Sequence, residues 1–156
     1  MAAAAARDCL GGMKRDLPDA FFFASSTAPY LERQSAEIIA TALNARSNIR
    51  TADFTNSAKA GTTALLSALD AVQAGSAQNV LVCAADARNA KAGSAQEEIF
   101  GAAGAAVLVG DQDPVAEFVG SYSVAYDFPD HWRSAGEAYD HQWEDRFIRD
   151  EAYAKF

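Results

Sequence analysis

The residues with the clearest chemical potential lie in a turn of small side chains, Asn56-Ser57-Ala58-Lys59-Ala60-Gly61-Thr62. The partly β-branched residues 49–55 predict a strand before this turn, and the spacing of Leu65, Leu69 and Val72 predicts a helix after it. The first N–H groups of a helix lack intrahelical partners and carry the positive end of the helix dipole, which suits a thiolate, an oxyanion or a phosphate. The same small residues also fit a tight turn that serves only packing. From these residues alone both interpretations stay open.

The wider pattern around this turn resembles a known family. Residues 53–62 resemble the nucleophile loop of archaeal and bacterial hydroxymethylglutaryl-CoA synthases, members of the thiolase superfamily, and the family cysteine falls on Ala58. Residues 25–30, Ser-Ser-Thr-Ala-Pro-Tyr, resemble the segment with the family's acid/base glutamate, which falls on Ser26. A later aromatic run of the family resembles residues 128–133, Tyr139, Arg146, Phe147 and residues 151–153. With its motifs in this order, the chain is identified as a member of the family.

The resemblance implies an acyl-CoA scaffold that has lost its catalytic groups. A thiolase-type Claisen condensation requires a thiolate, an acid/base and donors for the oxyanion. Ala58 cannot form a thioester, and the hydroxyl of Ser26 is a very poor base. The family's remaining catalytic histidine and asparagine belong to a C-terminal half that lies beyond residue 156. We therefore expect this polypeptide alone not to carry the family reaction.

Strands and helices alternate along the sequence, which favours an α/β fold. The predicted strands are Ala20–Ser26, residues 49–55, Asn79–Ala85, Ala105–Gly110 and Val115–Val124, and the predicted helices are residues 1–10, 29–44 and 61–74. The order β-α-β-α-β-β predicts a mostly parallel central sheet covered by helices. It matches a thiolase-like N-terminal half without the family's first strand and helix. We predict a half-domain over residues 1–125 and an aromatic, charged interface segment over residues 126–156.

Length and composition limit the classes of function. The chain has 156 residues, which fits one domain, and the resemblance implies a truncated half: a fragment, a split gene or a short paralogue. A net charge of −8 disfavours nucleic-acid binding. No apolar run is long enough for a membrane span and no signal peptide is visible, so we expect a cytoplasmic protein. Cys9 and Cys83 are expected to be reduced and structural.

Several other residues are candidates for binding. The resemblance implies Lys59, Gly61 and Gly104 as contacts to a non-covalent acyl-CoA, although Lys59 also fits a solvated lysine. The run Glu97–Gly104 fits either the family's glycine-rich turn or a helix that ends before a strand. His131 and His141 lack a third ligand at metal-site spacing, so solvent or interface positions are favoured over a metal site.

Two functions of different classes follow. The first is a non-catalytic structural or acyl-CoA-binding partner of another chain. The second is a subunit of a thiolase-like lyase, aldolase or acyltransferase complex with altered chemistry, for which Ser26, Tyr30, Ser57 and Lys59 would be the nearby polar groups. The expected partners are a second copy, a chain that supplies the missing half, or a zinc-ribbon/OB-fold subunit. Association is expected because the apolar strands Ala20–Ser26 and Asn79–Ala85 would be left partly exposed.

Overall fold

The computed structural model describes residues 1–155, so Phe156 of the predicted interface segment lies outside the described residues. The main sheet has four strands: β1 (Ala20–Ala24), β2 (Arg50–Phe54), β3 (Val80–Ala87) and β4 (Ala102–Val109). Four helices accompany them: α1 (Ala2–Leu10), α2 (Ser35–Ala42), α3 (Ala60–Gln73) and α4 (Ala95–Ile99). The run Glu97–Gly104 had two interpretations. The structure has a helix that ends before a strand, since α4 ends at Ile99 and β4 begins at Ala102.

The strand order in this sheet is β2-β1-β3-β4, with β1, β2 and β3 parallel and β4 antiparallel to β3. Ala24 of β1 stands opposite Phe54 of β2 and Ala84 of β3. The carboxyl ends of the three parallel strands therefore meet at one edge of the sheet. The prediction of a mostly parallel sheet flanked by helices is confirmed.

The core has one layer on each face of the sheet. Phe22 points to the face that α3 covers with its alanines, such as Ala64 and Ala68. Phe21 and Phe23 point to the opposite face, where α1 and α2 pack. The three consecutive phenylalanines are all buried because β1 is a central strand with a helix layer on either side.

This packing corrects the surface argument for association. β1 is buried along its whole length and the first four residues of β3 are buried too. The part of the expectation that concerns Ala20–Ala24 and Val80–Cys83 is wrong, because helices cover these residues, whereas Ala84 and Ala85 are only partly buried. Association itself stays a prediction.

The second predicted helix is shorter than expected. It was predicted over residues 29–44 but extends only over Ser35–Ala42, and Leu31 is 101% exposed. The carboxylate of Asp53 accepts hydrogen bonds from the N–H groups of Ser35 (2.6 Å) and Ala36 (2.7 Å). A carboxylate from β2 thus fixes where α2 begins, and local apolar spacing did not contain that information.

The strand predicted over Val115–Val124 is absent from the structure. These residues belong to no helix or strand, although their side chains alternate as in a strand. Alternation indicates a preference for strand geometry, but a strand also needs a neighbour to accept its backbone hydrogen bonds.

The chain divides into two compact units. The first contains residues 1–87 and 102–116, and the second contains residues 88–101 together with the chain from Glu117 onward. The second unit holds α4, the short pair β5 (His131–Trp132) and β6 (His141–Gln142), α5 (Asp145–Ile148) and a π-helical turn at Arg149–Tyr153. The predicted functional boundary at residue 125 stays a prediction. Among residues 1–155, no helix has the length and apolar character that crossing a bilayer requires.

Candidate active site

The turn between β2 and α3 places Ala58 at the amino end of a 14-residue helix. Asn56 adopts a left-handed backbone with φ of 66°, a conformation that asparagine tolerates better than most residues. Ser57 then closes the turn before the helix: its Oγ accepts a hydrogen bond from the N–H of Lys59 (3.1 Å) and its carbonyl accepts one from the N–H of Ala60 (3.0 Å). Ala58 is exposed in this turn, where its methyl group offers no nucleophile.

The turn after β1 carries Ser26 and is held by Asp86 of β3. One carboxylate oxygen of Asp86 accepts hydrogen bonds from the hydroxyl of Ser25 (2.9 Å) and the N–H of Ser26 (2.8 Å). The same oxygen accepts bonds from the N–H (3.0 Å) and the hydroxyl (2.9 Å) of Thr27. The Thr27 hydroxyl in turn accepts a bond from the N–H of Ala87 (3.0 Å). The position that the family acid/base occupies is therefore tightly braced.

The environment of Asp86 keeps this carboxyl ionised. Its partial burial alone would raise the pKa, but the hydrogen bonds from Ser25, Ser26 and Thr27 outweigh burial and lower the pKa below its ordinary value. A carboxylate whose charge is stabilised in this way is a poor proton donor near neutral pH. Asp86 thus anchors the turn that carries Ser26.

The two turns stand on neighbouring strands at the same edge of the sheet. The N–H of Ser25 donates a hydrogen bond to the carbonyl of Phe54 (3.0 Å), the last residue of β2, and continues the β1–β2 ladder by one step. Ser26 follows immediately, and Ala58 lies four residues beyond Phe54. Ser26 and Ala58 therefore occupy the carboxyl-edge location at which α/β proteins commonly place binding sites.

The three residues predicted to contact acyl-CoA lie at different places in the fold. Lys59 is the exposed N-cap residue of α3. A Cβ built on Gly61 would lie 3.8 Å from the Cβ of Ala84, so this glycine faces β3 from the α3 side. A Cβ on Gly104 would lie 3.2 Å from the Cβ of Met1, which places Gly104 against the start of α1. Gly61 therefore lies on the α3 side of the sheet, whereas Gly104 of β4 faces the α1 side. A ligand role for either glycine stays a prediction.

Two aspartates at this edge were missed by sequence reasoning. Asp53 caps α2, and Asp86 braces the turn of Ser26. Asp53 is the fourth of the five residues of β2, and Asp86 is the seventh of the eight residues of β3. A carboxylate near the carboxyl end of a parallel strand is a usable signal, because the strand ends converge there.

No family model matches the chain, but individual proteins of known function are similar to it. A hydroxymethylglutaryl-CoA synthase of Pyrococcus horikoshii is 38% identical over 153 residues, which cover 96% of this chain. The corresponding enzyme of Pyrococcus furiosus is 39% identical over the same length. The chain is a hydroxymethylglutaryl-CoA synthase-like member of the thiolase superfamily. It spans only 43% of the length of either relative.

Solved structures of hydroxymethylglutaryl-CoA synthases share the fold of this chain. MvaS in complex with 3-hydroxy-3-methylglutaryl coenzyme A aligns over 99% of this chain and 38% of its own length, with a TM-score of 0.83 and 21% identity. An HMG-CoA synthase complexed with CoA aligns over 96% of this chain and 39% of its own, with a TM-score of 0.84 and 21% identity. At this level of identity the likeness shows the thiolase-type fold, as predicted.

Neither cysteine of this synthase-like chain replaces the missing nucleophile. Cys83 is fully buried in β3, and burial, aided by the neighbouring Cys9, raises the pKa of its thiol to about 12. A thiol with that pKa is protonated near neutral pH and does not attack a thioester. Cys9 lies on α1, which packs on the opposite face of the sheet from α3.

The histidines belong to the second unit and make polar contacts there. The Nδ1 of His131 lies 2.8 Å from Asp130, and its Nε2 lies 2.6 Å from a guanidinium nitrogen of Arg88. The Nε2 of His141 lies 2.9 Å from Glu137. Within residues 1–155 no three histidine, cysteine or acidic side chains gather as a metal site would require.

Proposed function

We propose that this chain is a non-catalytic, acyl-CoA-binding component of a thiolase-type assembly. The observation that carries the proposal is the exposed Ala58 at the amino end of α3, within a hydroxymethylglutaryl-CoA synthase-like fold. The scaffold presents the helix end at which the family captures an acyl group, and the side chain there cannot form a bond to it.

The charge and the backbone structure of this turn support binding of acyl-CoA without formation of a covalent bond. Two related structures hold CoA or 3-hydroxy-3-methylglutaryl coenzyme A. The amino end of α3 carries the positive end of a helix dipole, and the adjacent exposed Lys59 adds a full positive charge on a chain whose net charge is −8. A CoA phosphate would meet both. The thioester would remain intact, because no thiolate stands beside it.

The chemistry of the neighbouring groups supports the same conclusion. The hydroxyl of Ser26 neither donates nor removes a proton readily near neutral pH. Asp86 is engaged by four hydrogen bonds and its pKa is lowered, and Cys83 is a buried thiol with a raised pKa of about 12. None of these three residues supplies the thiolate or the acid/base that the family reaction requires.

A binding and mass experiment tests the proposal. Acetyl-CoA should perturb the amide resonances of residues 57–62, while intact-mass spectrometry after incubation should show an unchanged mass. Lys59→Ala should weaken binding by about threefold to tenfold, since one charge–phosphate contact is lost. Lys14→Ala removes an equally exposed lysine away from this turn and serves as the matched control.

Two results would contradict the proposal. A stable acetyl adduct on the wild-type chain would show a nucleophile that this interpretation denies. Cleavage of 3-hydroxy-3-methylglutaryl-CoA by the chain, alone or with an added zinc-ribbon/OB-fold subunit, would favour the lyase alternative with altered chemistry.

Restoring the cysteine provides the complementary test. Ala58→Cys places a thiol at the amino end of α3, where the helix dipole favours the thiolate, so we expect slow acetylation by acetyl-CoA. Condensation with acetoacetyl-CoA should stay below detection, because Ser26 does not replace the glutamate. Acetylation of the variant should appear as a single added acetyl mass, and its absence would indicate that acyl-CoA does not bind at this turn.

A further inference from the structure

The second unit contains a cavity of about 430 Å³, here called the aromatic cavity. It lies between the chain that leads to β5 and the π-helical turn, and its lining residues are Val124, Tyr126, Phe128, Asp130, Ala152 and Tyr153. Its volume falls within the range of roughly 300–1,000 Å³ that small-molecule sites occupy. Among the described residues that line it, three are aromatic and only Asp130 is acidic or basic. One carboxylate therefore stands among aromatic rings.

Two neighbouring residues fix the carboxylate of Asp130. Its Oδ1 accepts a hydrogen bond from the backbone N–H of His131 (2.8 Å), and the same oxygen lies 2.8 Å from the Nδ1 of that imidazole. Its Oδ2 accepts a hydrogen bond from the hydroxyl of Tyr153 (3.3 Å), which belongs to the π-helical turn. Asp130 thus joins the two parts of the chain that form the aromatic cavity.

The protonation of His131 follows from its contact with Arg88. The Nε2 of His131 lies 2.6 Å from a guanidinium nitrogen of Arg88, and a guanidinium can only donate hydrogen bonds. The Nε2 atom is therefore the acceptor, and the ring proton lies on Nδ1, which donates to Asp130. In this arrangement the imidazole is neutral, while Arg88 forms an ion pair with Asp140 at 3.3 Å. His131 thus holds the carboxylate of Asp130 without cancelling its charge.

Asp130 carries its negative charge near neutral pH. Its partial burial alone would raise the pKa, but the contacts with His131 and Tyr153 outweigh burial and lower the pKa of Asp130 below its ordinary value. A positive charge inside the aromatic cavity would be attracted by this carboxylate and by the faces of the aromatic rings. The aromatic cavity is therefore suited to a cation and not to an anion such as a phosphate.

The hydrogen bonds of Asp130 also restrict the kind of cation. A primary ammonium or a guanidinium loses water on entry and needs an acceptor for each of its N–H groups. The Oδ1 of Asp130 already faces two donors of His131, and the Oδ2 faces the hydroxyl of Tyr153. A quaternary ammonium has no N–H group and contacts aromatic faces through its methyl groups. Its charge is satisfied without any new hydrogen bond.

We propose that the aromatic cavity binds the quaternary ammonium group of a small, free organic compound. The carboxylate of Asp130 balances its charge, and the rings of Tyr126, Phe128 and Tyr153 surround its methyl groups. Tyr126 is 60% exposed and Tyr153 is 72% exposed, so the site is open to solvent and we expect a dissociation constant of about 1 mM. None of residues 57–62 lines this cavity, so the site can succeed or fail independently of acyl-CoA binding.

An NMR titration of the full wild-type chain with choline tests the proposal. Choline should shift the amide resonances of Asp130 and Tyr153. The matched control ligand is 3,3-dimethyl-1-butanol, which has the same shape but carries a neutral carbon in place of the charged nitrogen. It should bind at least about fivefold more weakly, because it gains neither the attraction of the carboxylate nor that of the ring faces. This comparison needs no variant and is therefore independent of any effect of substitution on folding.

Substitutions locate the site. Asp130→Asn removes the charge but keeps an acceptor for His131, and it should weaken choline binding by about fivefold or more. Asp127→Asn removes an equal charge from an exposed residue outside the lining and is its control. Tyr153→Leu should weaken binding by about threefold, since one ring is lost. Tyr139→Leu, at a tyrosine that is 45% exposed and does not line the aromatic cavity, should leave the dissociation constant unchanged.

A lipid headgroup is the other source of a quaternary ammonium group, and vesicles of phosphatidylcholine distinguish the two sources. We expect the chain not to sediment with these vesicles. Sedimentation with the vesicles in the absence of choline binding would assign the site to a headgroup and overturn the free ligand.

Three further outcomes would overturn the proposal. Unshifted resonances of the lining residues at choline concentrations on the order of 10 mM would show that the aromatic cavity does not bind the group. Equal binding of choline and 3,3-dimethyl-1-butanol would show an apolar site that does not recognise charge. Equal effects of Asp130→Asn and Asp127→Asn would show that the carboxylate of Asp130 is not the partner of the cation.

Discussion

The two turns at the carboxyl edge of the sheet differ in how the fold holds them. The turn after β1, with Ser26, is fixed by four hydrogen bonds to Asp86 from a neighbouring strand. The turn after β2, with Ala58, is shaped by contacts within itself, chiefly those of Ser57 to Lys59 and Ala60. One turn is part of the sheet's framework, and the other is a local connection.

The difference between the two turns indicates which side-chain substitutions the fold tolerates. A substitution at Ala58 changes an exposed methyl group and leaves the local bonds of Ser57 in place. The bonds to Asp86 from the Ser26 turn use the backbone of Ser26 and the side chains of its neighbours, so the side chain of Ser26 is not needed for them. Both catalytic positions of the family can therefore change while the scaffold remains intact.

The largest effect on stability is expected from Asp86→Ala. The substitution removes the acceptor of the Ser26 N–H and of two hydroxyls, and it leaves the Thr27 N–H with the hydroxyl of Ser25 alone, so we expect a loss of about 2 kcal/mol in the free energy of unfolding. Asp70→Ala, at an exposed aspartate on α3, is the control and should stay within about 0.5 kcal/mol. Urea denaturation at neutral pH measures both.

The contribution of Asp86 should also depend on pH. Because its pKa is lowered in the folded chain, the stabilisation is fully present above the ordinary aspartate pKa of about 3.9 and is lost as pH falls through the lower folded value. The difference between wild type and Asp86→Ala should therefore shrink only below about pH 4. A difference that disappears already near pH 6 would contradict the anchoring role.

A smaller effect is expected from Asp53→Ala, which removes the cap of α2. Two N–H groups at Ser35 and Ala36 lose their acceptor, and we expect a loss of about 1 kcal/mol. Amide hydrogen exchange should accelerate in the first turn of α2 more than in α3. Glu37→Ala removes an exposed acid from the same turn and is the control; an equal effect of both would indicate that charge alone, not the cap, matters.

The smallest effect is expected from Ser57→Ala in the local turn. It removes one hydrogen bond to the N–H of Lys59, on an exposed loop, and should cost about 0.5 kcal/mol. Ser47→Ala, at another exposed serine in a turn, is the control. If Ser57→Ala destabilised the chain as much as Asp86→Ala, the contrast between the two turns would be wrong.

The parts of the fold that the sequence predicted are those with local signals. Glycines follow α1, which ends at Leu10 as predicted, and α3, which ends at Gln73, one residue before the predicted end, with φ of 50° at Gly11 and 70° at Gly75. The apolar runs at Ala20–Ser26 and Asn79–Ala85 predicted strands, which β1 and β3 form. The sequence also predicted Ala58 in a turn between a strand and a helix, where β2 and α3 place it.

The errors arose where a distant residue decides the local structure. The start of α2 depends on Asp53, which is 18 residues from Ser35. The segment Val115–Val124 alternates like a strand but has no strand beside it among residues 1–155. Neither fact is contained in a window of neighbouring residues.

The sequence by itself determined that residue 58 carries no thiol, because an alanine lacks one in any fold, and it determined the alternation of strands and helices. Only the tertiary structure decided that β1 and the first half of β3 are buried between helices, that Asp86 braces the turn of Ser26, and that apolar side chains are exposed at residues 117–124. Side-chain identity is a local property, whereas burial and hydrogen-bond partners depend on segments that folding brings together across 60 residues of chain.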